Sequence, residues 1–150
     1  MENKDEILVE LALNIMRSNN LLSRIGGQIA GEVGLSRVQQ WVVLGNIYKA
    51  GTLPLKELRK NTLVTKQSIT GIVERLELGG FIETYNDPND KRSTLASLTQ
   101  KGRETMEKIK PLRLKSNCES FSIFNEEEIN QFSSYLYRLV EHLEEIEEKR

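Results

Sequence analysis

Polar and basic side chains are concentrated on one face of a helical pattern that begins after the N-cap residue Thr65. Its apolar stripe recurs at helical spacing in Ile69, Ile72, Val73 and Leu76. The residues left on the outer and lateral faces are Lys66, Gln67, Ser68, Thr70, Gly71 and Arg75. Amide and hydroxyl groups hydrogen-bond to base edges, and Lys and Arg bind phosphate or guanine. These groups suit a helix that binds in the major groove of DNA and contacts the bases there. The alternative is an ordinary helix face that is exposed to solvent.

A second group of charged residues follows in a predicted hairpin. Two strands, residues 81–86 and 94–98, lie on either side of a turn-rich tip. At this tip the guanidinium of Arg92, beside Lys91, can enter the minor groove near the phosphates, and Asp90 can hold Arg92 by a salt bridge. A solvated turn is the alternative, but a hairpin directly after the polar helix favours contact with DNA.

The elements before the polar helix are predicted from periodicity and from cap residues. Residues 5–33 form a long amphipathic helix whose second half is weakened by glycines. Ser36 is the expected N-cap of a second, buried helix that Gly51 ends. Residues 53–55 fit a minor edge strand, and a short third helix occupies residues 55–60.

Two more helices are predicted after the hairpin. Thr99 caps the fifth helix, and Pro111, which lacks a backbone donor, should kink or break it near Lys110. Asn125 and Glu128 form a capping box at the start of the last helix. The predicted fold class is mainly α with a small β-hairpin wing, that is, a winged helix-turn-helix with additional helices at both ends.

The first and last helices carry apolar stripes that the small central module cannot cover. The stripe residues are Leu8, Leu11, Ile15, Ile129, Phe132, Leu136, Leu139, Leu143 and Ile146. In the last helix they recur at alternating spacings of 3 and 4, which is a heptad seam that requires a partner helix. We therefore predict one compact domain in which residues 1–34 and 104–150 mediate homodimerisation and residues 35–103 bind DNA. Pairing of the two helices within one chain is the alternative.

The net charge of -1 conceals a basic central segment. Residues 1–35 carry a charge of -2, residues 36–103 carry +5 and residues 104–150 carry -4. Ordinary scatter of surface charge is one explanation of this asymmetry. The other is that phosphate attraction belongs to the central module.

The composition argues against other classes of protein. The single cysteine, Cys118, and the single histidine, His142, exclude an internal disulfide and a His/Cys zinc cluster. We find no phosphate-binding glycine loop, no paired metal carboxylates and no nucleophile–base set, so neither an enzyme nor a cofactor nor a metal is predicted. No apolar run approaches the roughly 18 residues of a membrane span, and the acidic N-terminus is unlike a signal peptide. Cytoplasmic residence is therefore expected.

Several motifs resemble those of the MarR family of winged helix-turn-helix regulators. Residues 35–44 look like the second helix of these proteins, and residues 76–82 look like the exit of their recognition helix. The segments Asp90–Arg92 and Leu98–Gly102 are similar to the family's D-x-R wing and its L-T-x-K-G helix start. The resemblance implies DNA contact by the fourth helix around residues 65–71 and by Arg92.

The resemblance also implies a function. It indicates a sequence-specific transcriptional regulator, a repressor by expectation, whose homodimer binds double-stranded DNA at a pseudo-palindromic operator. A winged-helix adaptor that binds proteins instead of DNA is the alternative. The basic central segment and Arg92 favour DNA.

Family members commonly release DNA on binding a small, often phenolic, ligand or on oxidation. Four residues offer cationic and aromatic faces to such a phenolic or anionic effector: Arg17, Arg24, Trp41 and Tyr48. Trp41 is more simply explained as a residue of the protein core. Cys118 is a redox sensor only if it is exposed and held as a thiolate, and is otherwise a bystander. His142 is most simply a residue of the dimer interface.

Overall fold

A computed structural model describes residues 3–60 and 64–150 of the chain. The chain divides into two units, the first ending at Arg113 and the second comprising Leu114–Arg150. The elements of the described residues are α1 (Lys4–Glu32), α2 (Val38–Ala50), β1 (Thr52–Pro54), α3 (Leu55–Leu58), α4 (Lys66–Leu78), β2 (Ile82–Asp87), β3 (Asp90–Leu98), α5 (Gln100–Ser120) and α6 (Glu126–Glu148). The mainly helical fold with one small sheet confirms the predicted class.

α1 runs unbroken through the glycines in its second half. Gly26 is buried where α1 meets α2, and a Cβ atom there would lie 2.7 Å from Cγ2 of Val38. The absence of a side chain therefore lets the two helices approach closely, which outweighs the low helix propensity of glycine.

The start of α2 differs from the prediction. Arg37, not Ser36, is the N-cap residue, and no side chain caps the helix. Instead, the backbone N–H of Ser36 donates to Oε1 of Gln40 at 2.7 Å, and Gln40 is buried. The buried side-chain amide of Gln40 thus provides a hydrogen-bond acceptor for the backbone N–H just before the helix. The end of α2 at Gly51, with φ +80°, is as predicted.

The three strands form an antiparallel sheet in the order β1-β3-β2. Thr52 pairs with Ser97, and Ile82 pairs with Leu98. β1 is an edge strand, which is where the missing N–H of Pro54 costs least. The sheet therefore joins the hairpin to the segment that precedes α3.

The hairpin is longer than predicted. β3 begins at Asp90, so only Pro88 and Asn89 form the turn, and Lys91 and Arg92 lie in the strand. One additional pair, Asp87 with Asp90, closes the hairpin, and the register shift between Asn86 and Asp87 places residues 91–93 in an irregular part of β3. The expected tip at residues 87–92 was therefore wrong for its second half, because the pair between Asp87 and Asp90 extends β3 to the two-residue turn.

The core lies in the first unit, among α2, α3, α4, the sheet and the N-terminal half of α5. Its largest fully buried side chains are Leu44, Ile47, Leu58, Ile69, Leu76, Ile82, Ile109 and Val43. Burial of each such side chain is worth about 1.5–3 kcal/mol relative to exposure. This core supports α4 from one side.

α5 is continuous through Pro111, so the helix does not break near Lys110, while the alternative of a kink there stays a prediction. Thr99 caps its start, since its Oγ1 accepts the N–H of Gly102 at 3.1 Å, and the burial of Ile109 fixes the turn before the proline. One missing backbone bond is therefore tolerated.

α6 begins at the predicted capping box. Oδ1 of Asn125 accepts the N–H of Glu128 at 2.9 Å, and Oε2 of Glu128 accepts the N–H of Asn125 at 2.9 Å. The rings of Phe124 and Phe132 lie 5.6 Å apart and pack the preceding chain against the helix. Among the described residues, no helix is both long enough and apolar enough to cross a membrane.

Candidate nucleic-acid interface

α4 separates an apolar from a polar face as predicted. Its four stripe residues are buried, with Ile69 only 2% and Leu76 0% exposed. The predicted reading residues Gln67, Ser68, Thr70 and Arg75 are all exposed on other faces of the helix. Gly71 has no side chain, and a Cβ atom there would have no neighbour within 4 Å outside the adjacent backbone of α4. The helix is therefore narrow at this position, and the space beside it is open. Among its described side chains, α4 thus presents hydrogen-bonding groups and the cation of Arg75 to the exterior.

The N-terminus of α4 differs in detail from the expectation. Thr65 occupies the N-cap position, but its side chain does not bond to the backbone of the first turn. Its hydroxyl instead lies 2.8 Å from Oγ of Ser68 and forms a hydrogen bond with it. Lys66 is the first helical residue, and its side chain lies outside the part of the structure that is described.

The predicted cations of the hairpin are exposed to solvent. Lys91 and Arg92 are both exposed. Oδ1 of Asp90 accepts the backbone N–H of Arg92 at 3.0 Å, and no ion pair joins these two side chains. The expected salt bridge was therefore wrong. Asp90 supports the strand through the backbone and leaves the guanidinium of Arg92 available.

α4 ends in a Schellman motif. The N–H of Phe81 donates to the carbonyl of Leu76 at 2.9 Å, and the N–H of Gly80 donates to that of Glu77 at 3.0 Å. Gly80 has φ +77°, a conformation that favours glycine. The burial of both Leu76 and Phe81 provides the usual apolar contact across the motif.

Side chains at the start of α5 contact this helix end. The hydroxyl of Thr99 donates to the carbonyl of Gly80 at 2.5 Å. Nζ of Lys101 donates to the carbonyl of Gly79 at 2.6 Å and lies 4.5 Å from the ring centroid of Phe81. Lys101 was not among the residues predicted to form the site. Its only signal was its place in a helix-start motif after the hairpin.

Most of the predicted dimerisation side chains are exposed. Seven of the nine are exposed, among them Leu11 at 54%, Phe132 at 43% and Leu143 at 52%. Ile15 and Leu139 are half-buried. α6 has no buried residue along its length. The apolar stripes of α1, in the first unit, and of α6, in the second, are therefore both largely exposed to solvent.

The four predicted effector-binding residues make separate contacts. Arg17 donates to Oδ1 of Asn14 at 3.1 Å, and Arg24 is exposed. Trp41 is half-buried and packs against the core. No hydrogen bond joins any of these residues to another, so their grouping into one pocket stays a prediction.

The fourth of these residues, Tyr48, belongs to a polar cluster between α2 and α5. Its hydroxyl donates to Oε1 of Glu107 and accepts from Nζ of Lys110, which lies at 2.9 Å. The hydrogen bonds from Lys110 and Tyr48 lower the pKa of Glu107. The hydrogen bonds that Lys110 donates to Glu107 and Tyr48 raise the pKa of Lys110. The polar end of Tyr48 is thus engaged within the first unit.

The remaining candidates offer little chemistry. Cys118 is exposed. Nδ1 of His142 lies 4.0 Å from Oε2 of Glu145 on the same face of α6. Across residues 3–60 and 64–150, no three His, Cys, Asp or Glu side chains are grouped so as to hold a metal ion.

A polar helix supported by a helical core and followed by a hairpin with exposed cations defines a winged helix-turn-helix protein, a class of DNA-binding regulators. The profile of the MarR family matches residues 37–94. The regulator MhqR of Bacillus subtilis is 30% identical over 100 residues, which cover 67% of this chain and 69% of MhqR. The chain therefore belongs to the MarR family. It is a transcriptional regulator and not an enzyme.

Two further comparisons extend over nearly the whole chain. BadR of Rhodopseudomonas palustris, named as a transcriptional activatory protein, is 24% identical over 149 residues, or 97% of this chain and 85% of BadR. A cysteine-to-serine mutant of E. coli MarR complexed with operator DNA superposes with a TM-score of 0.81 at 23% identity. That match covers 92% of this chain and 99% of the MarR chain, and it shows that the fold is shared.

Proposed function

We propose that the chain is a homodimeric repressor that binds a pseudo-palindromic operator through α4 and the hairpin. The observation that carries this proposal is the exposed polar face of α4, followed in the same unit by the exposed cations Lys91 and Arg92. A buried stripe fixes the opposite face of α4, so the polar groups are held on a supported helix.

Each polar group on α4 has a chemical role in this proposal. Gln67, Ser68 and Thr70 hydrogen-bond to base edges in the major groove, and the bare Gly71 allows the helix to approach the bases closely. Lys66 and Arg75 bind phosphate or guanine. Arg92 enters the adjacent minor groove, with Asp90 holding its backbone in the strand.

The proposed dimer follows from the open stripes of α1 and α6. Residues 1–34 and 104–150 act as the dimerisation segments in this proposal, and residues 35–103 act as the DNA-binding module. A twofold axis would place two copies of α4 in successive major grooves, about 34–36 Å apart. An operator with two inverted half-sites one helical turn apart matches this arrangement.

Repression and release by an effector complete the proposal. A dimer bound over a promoter excludes polymerase, and a phenolic or anionic molecule that alters the spacing of the two α4 helices releases it. Arg17, Arg24, Trp41 and Tyr48 are the proposed contacts for such a molecule. Because BadR is named as an activatory protein, the direction of regulation is tested separately, with a promoter reporter.

The experiment selects duplexes from a random-sequence DNA library with the purified protein. We expect enrichment of inverted repeats, and an affinity that falls log-linearly with salt concentration. The stoichiometry on the selected duplex should be two chains for each site. Recovery of no preferred sequence, or of a site bound by one chain, would contradict the proposal.

A further inference from the structure

The end of α4 is joined to the start of α5 by the side chains of two residues. The hydroxyl of Thr99 donates to the carbonyl of Gly80 and accepts the N–H of Gly102, so it links the end of one helix to the start of the next. The ammonium of Lys101 donates to the carbonyl of Gly79. The backbone hydrogen bonds of the Schellman motif do not use the carbonyls of Gly79 and Gly80. These two carbonyls instead accept hydrogen bonds from side chains at the start of α5.

The two segments are in very close contact at this junction. A Cβ atom on Gly102 would lie 2.1 Å from the carbonyl oxygen of Phe81. Only glycine avoids this clash, because it has no Cβ atom. That same carbonyl accepts the backbone N–H of Thr99 at 3.1 Å. The first turn of α5 therefore has little freedom to move relative to the end of α4.

The charge of Lys101 suits its position. The C-terminal end of a helix carries partial negative charge, and a cation within the last turn interacts favourably with it. The ammonium also lies over the ring of Phe81, which adds a cation–π contact. Within the first unit, α5 is itself anchored by the buried side chains of Met106 and Ile109. The orientation of α4 is thus tied to a helix that is fixed in the core.

We propose that Lys101 is a positioning residue for DNA recognition, which holds the C-terminal end of α4 in the direction that its base-reading face requires. This inference rests on the proposed function. Lys101 does not touch DNA in this role, so its loss reduces the discrimination between sequences. A phosphate contact would instead lower the affinity for all sequences equally and reduce the salt slope by about 0.9.

The test compares Lys101→Met, which keeps the aliphatic stem, with Lys101→Arg, which keeps a cationic donor. Lys108→Met removes the same charge from an exposed position on the same helix and serves as the control. The probes are the duplex selected by the wild-type protein and a random-sequence duplex. We expect Lys101→Met to weaken binding to the selected duplex by about tenfold, with the salt slope unchanged. Random-sequence binding and the Lys108→Met variant should stay within about twofold of wild type, and Lys101→Arg should restore discrimination.

Amide hydrogen exchange in the DNA-free protein provides a second readout. The N–H groups of Gly79, Gly80 and Phe81 should exchange faster in Lys101→Met than in wild type or Lys108→Met, because the last turn of α4 opens more often. Unchanged exchange would overturn the inference, and so would an equal loss of affinity on both duplexes or no loss on either. If the wild-type protein prefers no sequence, the proposed function fails, while the exchange data still decide whether Lys101 holds α4.

Discussion

α4 and α6 are both amphipathic helices, yet they meet different surroundings. The apolar stripe of α4 is buried in the first unit, whereas α6, in the second unit, has no buried residue. Periodicity alone does not distinguish the two cases, because it reports that a face is apolar and not what covers it. The difference is that α4 packs against the core of its own unit, whereas the stripe of α6 is exposed and is the surface that the proposed dimer would cover.

The strongest test of this contrast is the truncation of a stripe residue in α4. Leu76→Ala removes a fully buried side chain and should lower the free energy of unfolding by about 2–5 kcal/mol. Chemical denaturation at a fixed protein concentration measures this loss. Leu78→Ala on the same helix is the control, because Leu78 is 89% exposed, and it should cost little. Equal losses for the two variants would contradict the assignment of the buried face.

The matching truncation in α6 should affect assembly instead. If a second chain covers Leu143, Leu143→Ala loses about 1.5–3 kcal/mol of burial for each copy. The dissociation constant of the dimer should then rise by at least about tenfold, as measured by sedimentation at several concentrations. Leu78→Ala again serves as the control and should leave the dimer intact. An unchanged dimer would mean that the stripe of α6 is not the interface.

A pair of arginines extends the comparison to DNA binding. Arg92→Ala should weaken binding to the selected duplex by about 1–3 kcal/mol and reduce the salt slope by about 0.9. Arg138→Ala removes the same charge from α6 and should change neither quantity beyond the error of the titration. Unchanged affinity for Arg92→Ala would exclude the hairpin from the interface. An equal effect of both variants would indicate attraction by overall charge.

Local signals predicted features of both units. The stripe from Ile69 to Leu76, the end of α2 at Gly51 and the capping box at Asn125 depend on residues close in sequence, so spacing and residue type were sufficient. The same holds for the N-cap role of Thr99. These features have few competing solutions, which is why the fold class was predictable.

The N-cap of α2 and the contact between Asp90 and Arg92 differed in local detail, whereas the other differences depended on partners distant in sequence or on the folded context. Arg92 was expected in a turn, but pairing between β2 and β3 extends the strand past it. The continuity of α5 through Pro111 follows from support at its start and not from local propensity. The bond from Lys101 to Gly79 spans 22 positions and leaves no periodic signal. The candidate site was therefore predictable as a face of α4, but not in the contacts that orient it.

The smallest expected effect concerns the polar cluster between α2 and α5. The pKa of Glu107 is lowered by Lys110 and Tyr48, so its contribution to stability is present above the ordinary carboxyl pKa and is lost as the pH falls through the lowered value. The pKa of Lys110 is raised, so its contribution is present below the ordinary lysine pKa and is lost only as the pH rises past the raised value. Both groups are therefore charged and paired at neutral pH.

Glu107→Gln should accordingly lower Tm slightly at pH 7, because exposed ion pairs contribute little. The difference from wild type should vanish in acid, where the wild-type carboxyl is also neutral, and should shrink in high salt. Glu119→Gln removes an equal charge from an exposed position on the same helix and should show no such pH-dependent difference. A Tm difference that persists unchanged into acid would show that Glu107 acts through packing or shape, and that its charge does not hold α2 against α5.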